Sequence, residues 1–173
     1  MARSHHIDSL NIVMAASEAV PYVKTGGLAD VAGALPVELA KLGHTVTLIV
    51  PRYRGFQTDG RSLRELGTIR VKTAKGAVDA MLEEDLIPVA ERGQSVRVVA
   101  VRYDPYFDRA GLYQGPDGDF SDNLARFAFF SHAIVEVIAF LGSSRREPIS
   151  VLHLHDWQTA LAAVYLKTTE RGR

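Results

Sequence analysis

The sequence predicts an α/β fold with a mostly parallel sheet, flanking helices and a β-rich insertion. Continuous apolar runs rich in β-branched residues occur near both ends of the chain, as in strands that are covered on both faces. The first two runs are separated by a segment with helical periodicity. A strand, a helix and a strand in such close succession form a right-handed βαβ unit, which makes the two strands parallel.

The N-terminal part supplies the elements of this unit. Its strands are predicted at Leu10–Ala16 and Thr45–Val50, the second closed by Pro51. Apolar residues recur between them at helical spacing and predict one buried face, at Leu28, Val31, Ala32, Leu35, Leu39 and Leu42. We expect Pro36 to kink or restart this helix, because it cannot donate its amide, and Gly43 to end it.

The β-rich insertion is predicted in the middle of the chain, after a polar loop over 52–64. Its strands are expected at Thr68–Val71, Ala77–Pro88 and Ser95–Tyr103, with turns at Lys75-Gly76 and Arg92-Gly93. The Gly- and Pro-rich stretch Asp104–Asp119 then predicts a long loop. Loops of that length in compact domains are often functional.

The C-terminal part is predicted to add a core helix, a strand and a second helix. The core helix is expected over Phe120–Leu141, beginning at Ser121 or Asp122 and ending at Gly142. Its aromatic residues are interpreted as core, at Phe127, Phe129, Phe130 and Phe140. The last two elements are predicted at Ile149–Leu154 and Gln158–Lys167.

The length of the chain predicts its domain content, and its charge limits the possible partners. The 173 residues are enough for one domain, and we expect 1–9 to be a flexible N-terminus or tag remnant and 10–173 to form that domain. The 20 Lys and Arg balance the 20 Asp and Glu. A neutral balance removes the overall attraction that nucleic acids and anionic membranes need, so we predict neither as a partner.

Several absences point to the compartment. The N-terminal residues lack the apolar stretch of a secretory signal, and no window reaches the ~18 consecutive apolar residues of a membrane span. The chain has no cysteine, which excludes disulfides and thiolate zinc sites and fits a reducing compartment. The sequence therefore predicts a cytoplasmic protein, and no motif in it calls for a cofactor.

The loop after the first strand, Ser17–Asp30, is the first candidate site. Lys24, Gly26 and Gly27 lie at the predicted helix start, where the glycine amides, the helix dipole and an ammonium together suit a phosphate or diphosphate. The order K-T-G-G-L-A-D-V-A-G matches neither G-x-x-x-x-G-K-[ST] nor G-x-G-x-x-G. A Gly-rich turn with a solvated lysine, and an Asp30 that only favours the helix dipole, is therefore an equal interpretation.

The segment after the last strand is the second candidate. The residues alone favour Asp156 as the N-cap of the following helix. His153 and His155 share one strand face, but the sequence places no third metal ligand beside them. Asp117-Gly118-Asp119 spells a D-x-D pattern that can bind a divalent metal, although aspartates in a loop of this composition are usually turn residues. We predict no metal.

Several motifs together are similar to one known family. K-T-G-G-L-A-D-V at 24–31 and G-A-L-P at 33–36 resemble the amino-terminal signature of bacterial glycogen synthases and starch synthases. The resemblance continues along nearly the whole chain, through S-E-x-x-P at 17–21, D-R-A-G-L-Y at 108–113, F-S-D-N-L-A-R-F at 120–127 and H-L-H-D-W-Q at 153–158.

The resemblance implies a retaining glucosyltransferase of the GT-B type, with two Rossmann-like domains and the active site between them. Such an enzyme moves glucose from ADP-glucose to the non-reducing end of an α-1,4-glucan. The family's ADP-sugar lysine matches Lys24, and the glycines that approach the phosphates match Gly26 and Gly27. The resemblance also implies cleft positions for Asp30 and Tyr113 and a contact of Asp156 with the transferring sugar.

The same resemblance implies that this chain is a partial N-terminal domain. Family members continue with an F-T-x-H-N segment and a second domain that supplies most of the nucleotide pocket, so we expect no turnover by this part alone. The alternative is a natural non-catalytic module that binds glucan or sugar phosphate, or regulates a homologue. The choice between ADP-glucose and UDP-glucose stays open. Exposed apolar sheet surface predicts self-association of the short chain.

Overall fold

The computed structural model describes residues 9–90, 93–144 and 148–168, so the predictions for 1–8 and for Arg92 lie outside the described residues. Its strands are β1 (Asn11–Ala15), β2 (Thr45–Pro51), β3 (Arg64–Thr73), β4 (Gly76–Val89), β5 (Gln94–Arg102), β6 (Gln114–Gly115), β7 (Gly118–Asp119) and β8 (Val151–Leu154). Its helices are α1 (Gly27–Lys41), α2 (Asp104–Phe107), α3 (Asn123–Ser144) and α4 (Trp157–Thr168).

The main sheet contains six of these strands, in the order β3-β4-β5-β2-β1-β8. Strands β5, β2, β1 and β8 run parallel to one another, whereas β3 and β4 continue the sheet beside β5 as an antiparallel meander. Every residue of β1 is buried, which explains its continuous apolar run. The mostly parallel sheet and the β-rich insertion are both confirmed, and the insertion is part of the same sheet.

Helix α3 forms the main packing layer on the sheet. Phe127, Phe129 and Phe130 are almost fully buried, and Phe140 is partly buried against the same core, as predicted. Within the described residues, the 20-residue window Asn123–Gly142 is long and apolar enough to cross a membrane, with a mean hydropathy of 1.7. Since 61% of this window is buried inside the molecule, packing against β3 and α4 accounts for its apolar character.

The most buried residues of helix α1 are small, and they overlap only in part with the predicted apolar stripe. Its buried positions are Ala29, Ala32, Gly33, Pro36 and Ala40. Of the predicted stripe, Ala32 is buried and Leu35 and Leu39 are partly buried against the core, whereas Val31 is 51% and Leu42 65% exposed, so the predicted face is only partly correct. The small side chains let the helix backbone approach the sheet and the loop that follows β1, and this close approach outweighs the burial of larger apolar groups.

Helix α1 runs through Pro36 as one helix, so the predicted restart is wrong, while the alternative of a kink stays a prediction. A proline inside a helix costs about 3 kcal/mol or more, through a lost hydrogen bond and a clash with the preceding turn. Here Pro36 lies on the buried face, where its packing offsets that cost. Gly43 ends the helix as predicted, with a φ of 101° and its amide donating to the Ala40 carbonyl at 2.9 Å.

The predicted long loop at Asp104–Asp119 contains regular structure, namely the one-turn helix α2 and the hairpin of β6 and β7. Asp117 lies in the hairpin turn as predicted and is followed by Gly118 with a φ of 106°, whereas Asp119 belongs to strand β7. Arg126 of α3 forms hydrogen bonds with the backbone of this segment. Its fully buried guanidinium donates to the carbonyl oxygens of Tyr106 at 2.8 Å and Leu112 at 2.9 Å.

Helix α3 begins directly after Asp122, whose carbonyl accepts the amide of Arg126, in agreement with the predicted start. The predicted end at Gly142 is wrong, since the helix continues to Ser144. Gly142 does not adopt the positive φ that a helix-ending glycine needs, and it therefore remains an ordinary helical residue.

Candidate functional site at the carboxyl edge of the sheet

The two candidate segments meet at one edge of the sheet because β1 and β8 are parallel neighbours. Ala15 pairs with Leu154, and the amide of His155 donates to the Ala15 carbonyl at 3.0 Å. Ser17 and Asp156 each follow this pair by two residues. Adjacent strands lie about 4.8 Å apart, so the two segments leave the sheet within reach of a single small ligand.

The glycine turn starts α1 without a side-chain cap. Gly26 is the capping residue, in an extended conformation with φ −149°, and Gly27 is the first helical residue. A Cβ atom on either glycine would meet nothing within 4 Å, so this surface is open to a ligand. The first amides of a helix have no partner within the helix, and their dipoles favour an anion at this end.

Lys24 makes a two-oxygen contact with Asp30 across the turn. Its ammonium lies 2.6 Å from Oδ1 and 2.8 Å from Oδ2, and both side chains are about half exposed, at 51% and 56%. The lysine is thus held over the helix start by the aspartate. The contact places both predicted residues at the same point, and it also neutralises the charge that a diphosphate would need.

Glu18 is a part of the site that the sequence reasoning passed over. It is 3% exposed, and its Oε2 accepts the amides of Thr25 at 2.5 Å and Gly26 at 3.2 Å. The Thr25 hydroxyl donates to both carboxylate oxygens, at 2.9 and 3.0 Å. The S-E-x-x-P motif contained this residue. A glutamate placed after an apolar strand and before two glycines was the available signal, because turn amides need a nearby acceptor.

Tyr113 connects the 108–120 segment to the same cluster. Its hydroxyl donates to Glu18 Oε1 at 3.0 Å and lies 2.7 Å from the Ser17 hydroxyl. Burial, together with the nearby charges of Glu18 and Asp156, raises the pKa of Tyr113 well above its ordinary value. The hydroxyl is therefore a neutral donor at all physiological pH values. The ring packs against Phe127 at a centroid distance of 5.8 Å.

Asp156 lies exposed at the start of α4 in a left-handed conformation, with φ 62°. Its Oδ1 accepts the amide of Trp157 at 2.6 Å, one residue earlier in the helix than a usual N-cap contact. The residue thus contacts the helix start while its backbone departs from normal cap geometry. Non-glycine residues with positive φ are uncommon and tend to mark functional sites.

The histidines before Asp156 stack on each other, with His153 and His155 ring centroids 4.2 Å apart. Burial, followed by the proximity of His153, lowers the pKa of His155, so this ring is neutral at pH 7. Its Nε2 is buried and has no hydrogen-bond partner among the described residues. The described part of the chain contains no group of three or more His, Asp or Glu side chains arranged to hold a metal.

The carboxyl edge carries more negative than positive charge. Among the described side chains placed here, Glu18, Asp30 and Asp156 are acidic, and Lys24 is the basic residue that contacts one of them. The nearby Arg109 is paired with Asp122 at 2.6 Å. This edge therefore offers fixed amides and acidic acceptors to a ligand, but little net positive charge.

A parallel α/β sheet with a glycine-containing helix start and acidic side chains at its carboxyl edge defines a Rossmann-like ligand-binding domain. Comparison with known proteins identifies the family. The family model described as starch synthase catalytic domain matches residues 11–173, and the chain belongs to this family.

Relatives with curated names agree with this assignment. Glycogen synthase of Syntrophotalea carbinolica is 41% identical over 160 residues, covering 92% of this chain and 31% of the relative. Glycogen synthase 1 of Geobacter metallireducens is 40% identical over 163 residues with the same coverages. This chain thus spans about a third of the length of these relatives and corresponds to a partial N-terminal domain.

A solved structure gives the same result. The catalytic domain of starch synthase IV from Arabidopsis thaliana, bound to ADP and acarbose, superimposes with a TM-score of 0.72 and 29% sequence identity. The match covers 95% of this chain and 31% of that structure. The predicted family and the predicted fold class are therefore confirmed, including the incomplete first domain of a two-domain architecture.

Proposed function

We propose that this chain is part of a glucosyltransferase that moves glucose from ADP-glucose to the non-reducing end of an α-1,4-glucan, with retention. The observation that carries the proposal is the meeting of the glycine turn and Asp156 at one edge of the sheet. That edge lies in a domain whose relatives are named glycogen synthase. The structural neighbour in complex with ADP and acarbose supports a nucleotide and a glucan as ligand classes.

In this proposal the start of α1 faces the diphosphate of the donor. The bond between glucose and the diphosphate breaks during transfer, and negative charge grows on the leaving phosphate. Fixed amides at Gly26 and Gly27 and the ammonium of Lys24 stabilise that developing charge more than they stabilise the ground state. Because the Gly26 amide already donates to Glu18, the Gly27 amide is the better placed donor of the two.

Two acidic residues have different partners in this proposal, since Asp156 contacts the sugar and Asp30 contacts Lys24. Asp156, exposed at the end of β8, accepts a glucose hydroxyl or favours the positive charge that develops on the transferring carbon. Asp30 orients Lys24 and yields part of that contact when the diphosphate arrives. Tyr113 borders the cleft with its ring. No metal or cofactor enters this scheme, and a cytoplasmic location and self-association of the short chain stay predictions.

The test replaces Lys24 by Ala in the complete enzyme. The expected loss is about 2–4 kcal/mol of transition-state stabilisation, by analogy with one preorganised donor, or roughly 30- to 1000-fold in kcat/KM for ADP-glucose. Lys41→Ala is the matched control, because Lys41 also contacts a carboxylate, Glu38 at 2.9 Å, but at the opposite end of α1. Unchanged kinetics in Lys24→Ala would refute the role of this lysine.

Two further measurements with the same preparation test the rest of the proposal. Assays with UDP-glucose beside ADP-glucose establish the donor. Glucan binding without any transfer from either donor by the complete protein would favour the non-catalytic module instead.

A further inference from the structure

Glu18 is a buried carboxylate held by neutral donors. Its contacts are the backbone amides of Thr25 and Gly26 and the hydroxyls of Thr25 and Tyr113. Within the described residues it makes no ion pair, and the nearby Lys24 contacts Asp30 instead. Burying a carboxylate is costly unless hydrogen bonds replace its water, and these donors provide such hydrogen bonds.

The position of this carboxylate is unusual for a site that binds an anion. Glu18 adds a negative charge beside the turn on which the proposed diphosphate lies, and repulsion alone would weaken donor binding. A benefit to the site must offset this repulsion. The contacts of Glu18 indicate that benefit, because they hold two segments of the chain in place.

The first immobilised segment is the glycine turn. Glycine has the largest backbone freedom of any residue, so two in succession leave the start of α1 poorly defined. The bonds from Thr25 and Gly26 to Glu18 fix the residues directly before the first helical turn. The second segment is the 108–120 stretch, which is tied to the same carboxylate through the Tyr113 hydroxyl.

We infer that Glu18 is a positioning residue for the donor site: its carboxylate holds the glycine turn and the Tyr113 segment in the geometry that receives the diphosphate. This inference rests on the proposed function. Glu18 does not contact the donor itself, because it is 3% exposed and its oxygens are directed to the turn and to Tyr113. It acts by reducing the conformational freedom that donor binding would otherwise remove.

The alternative is that Glu18 occupies the phosphate position and is displaced by the donor. In that case Thr25 and Gly26 would exchange their carboxylate partner for a phosphate, and the carboxylate would move into solvent. The two possibilities predict opposite effects. Loss of a positioning residue weakens donor binding, whereas loss of a competing anion strengthens it.

The experiment uses Glu18→Gln in the complete enzyme. The side chain keeps its shape, but the amide group replaces one acceptor oxygen with a donor, which then faces the donors of Thr25 or Tyr113. We expect the KM for ADP-glucose to rise by about tenfold to a hundredfold, the range of one hydrogen bond to a charged group. The KM for glucan should remain within about twofold of the wild-type value.

Glu84→Gln is the control, because Glu84 is also a buried carboxylate, at 5% exposure, but is held by Arg64 and Arg97 in the insertion. We expect it to lower thermal stability at least as much as Glu18→Gln while leaving both KM values unchanged. Thr25→Val removes one hydroxyl contact without burying a new polar group, and should raise the donor KM by about two- to tenfold. Thr25→Val replaces Glu18→Gln as the test variant if Glu18→Gln fails to fold.

Hydrogen exchange supplies a readout that does not depend on catalysis. The amides of Thr25 and Gly26 should be protected in the wild-type protein and lose most of that protection in Glu18→Gln, with Glu84→Gln unaffected. If wild-type enzyme transfers glucose but the donor KM of Glu18→Gln is unchanged or lower, the inference is wrong. If the wild-type enzyme transfers no glucose from ADP-glucose, the proposed function fails instead, whatever the exchange data show.

Discussion

Gly33→Ala should destabilise this protein, although alanine is the better helix former. Gly33 lies in the middle of α1 where the helix crosses the loop that follows β1. A Cβ atom at this position would lie 2.6 Å from the carbonyl oxygen of Val20 and would also overlap the Val20 side chain. The loop cannot simply move aside, because the Val20 amide donates to the Ala29 carbonyl of the same helix at 3.0 Å.

The expected magnitude follows from two opposing contributions. Replacing glycine by alanine inside a helix stabilises by about 1 kcal/mol. Overpacking against a constrained neighbour costs about 1–3 kcal/mol, and the upper part of that range applies here because the neighbour is backbone. The net effect is a loss of roughly 1–2 kcal/mol, or about 2–8 °C in Tm for a chain of this size.

Gly142→Ala is the matched control for this measurement. It lies inside α3, and a Cβ atom there would meet nothing within 4 Å, so only the helix preference remains. We expect this variant to gain up to about 1 kcal/mol. Urea unfolding followed by circular dichroism gives both free energies of unfolding. Equal stabilisation of the two variants would refute the close approach between α1 and the Val20 loop.

Two further predictions concern charged side chains away from the glycine turn. Arg126→Lys should lower the free energy of unfolding by about 2–3 kcal/mol, because one ammonium cannot serve the several acceptors of the guanidinium or stack on its aromatic neighbours; urea unfolding measures it. Burial alone would raise the pKa of Asp85, but hydrogen bonds from Arg61 and Tyr22 outweigh burial and lower it. The folded-state pKa then lies below the unfolded one, so this stabilisation is complete above about pH 4 and is lost as pH falls further. Unfolding measured between pH 5 and 2 should show a shallower slope in Asp85→Asn, and an unchanged slope would contradict the assignment.

The predictable parts of the fold follow from sequence patterns that fit one kind of element or one strand direction. A buried parallel strand needs a continuous apolar run, and β1 and β2 each have one, whereas the edge strand β8 is only partly buried. The short connection through α1 then fixes the parallel direction of the first two strands. Because ligands of such sheets bind beyond the carboxyl ends, the same patterns also predicted which loops form the candidate site.

The remaining features depend on contacts between distant parts of the chain. The backbone of α1 approaches Val20 closely at Gly33, and hydrophobicity alone therefore predicted only part of the buried face of this helix. Regular structure in the 104–119 segment depends on Arg126, a charged residue whose burial no periodicity indicates. The role of Glu18 could not be predicted, because it depends on a contact with Tyr113, which is 95 residues away in the sequence.

In the proposed function, the charges at the carboxyl edge limit what this part of the site contributes to donor binding. Lys24 offers one positive charge, already in contact with Asp30, whereas a diphosphate adds further negative charge beside Glu18 and Asp156. Coulomb repulsion of this kind makes the described edge a poor receptor for the donor when it acts alone. In the proposed function this edge contributes geometry, because its amides and carboxylates are fixed before a donor binds.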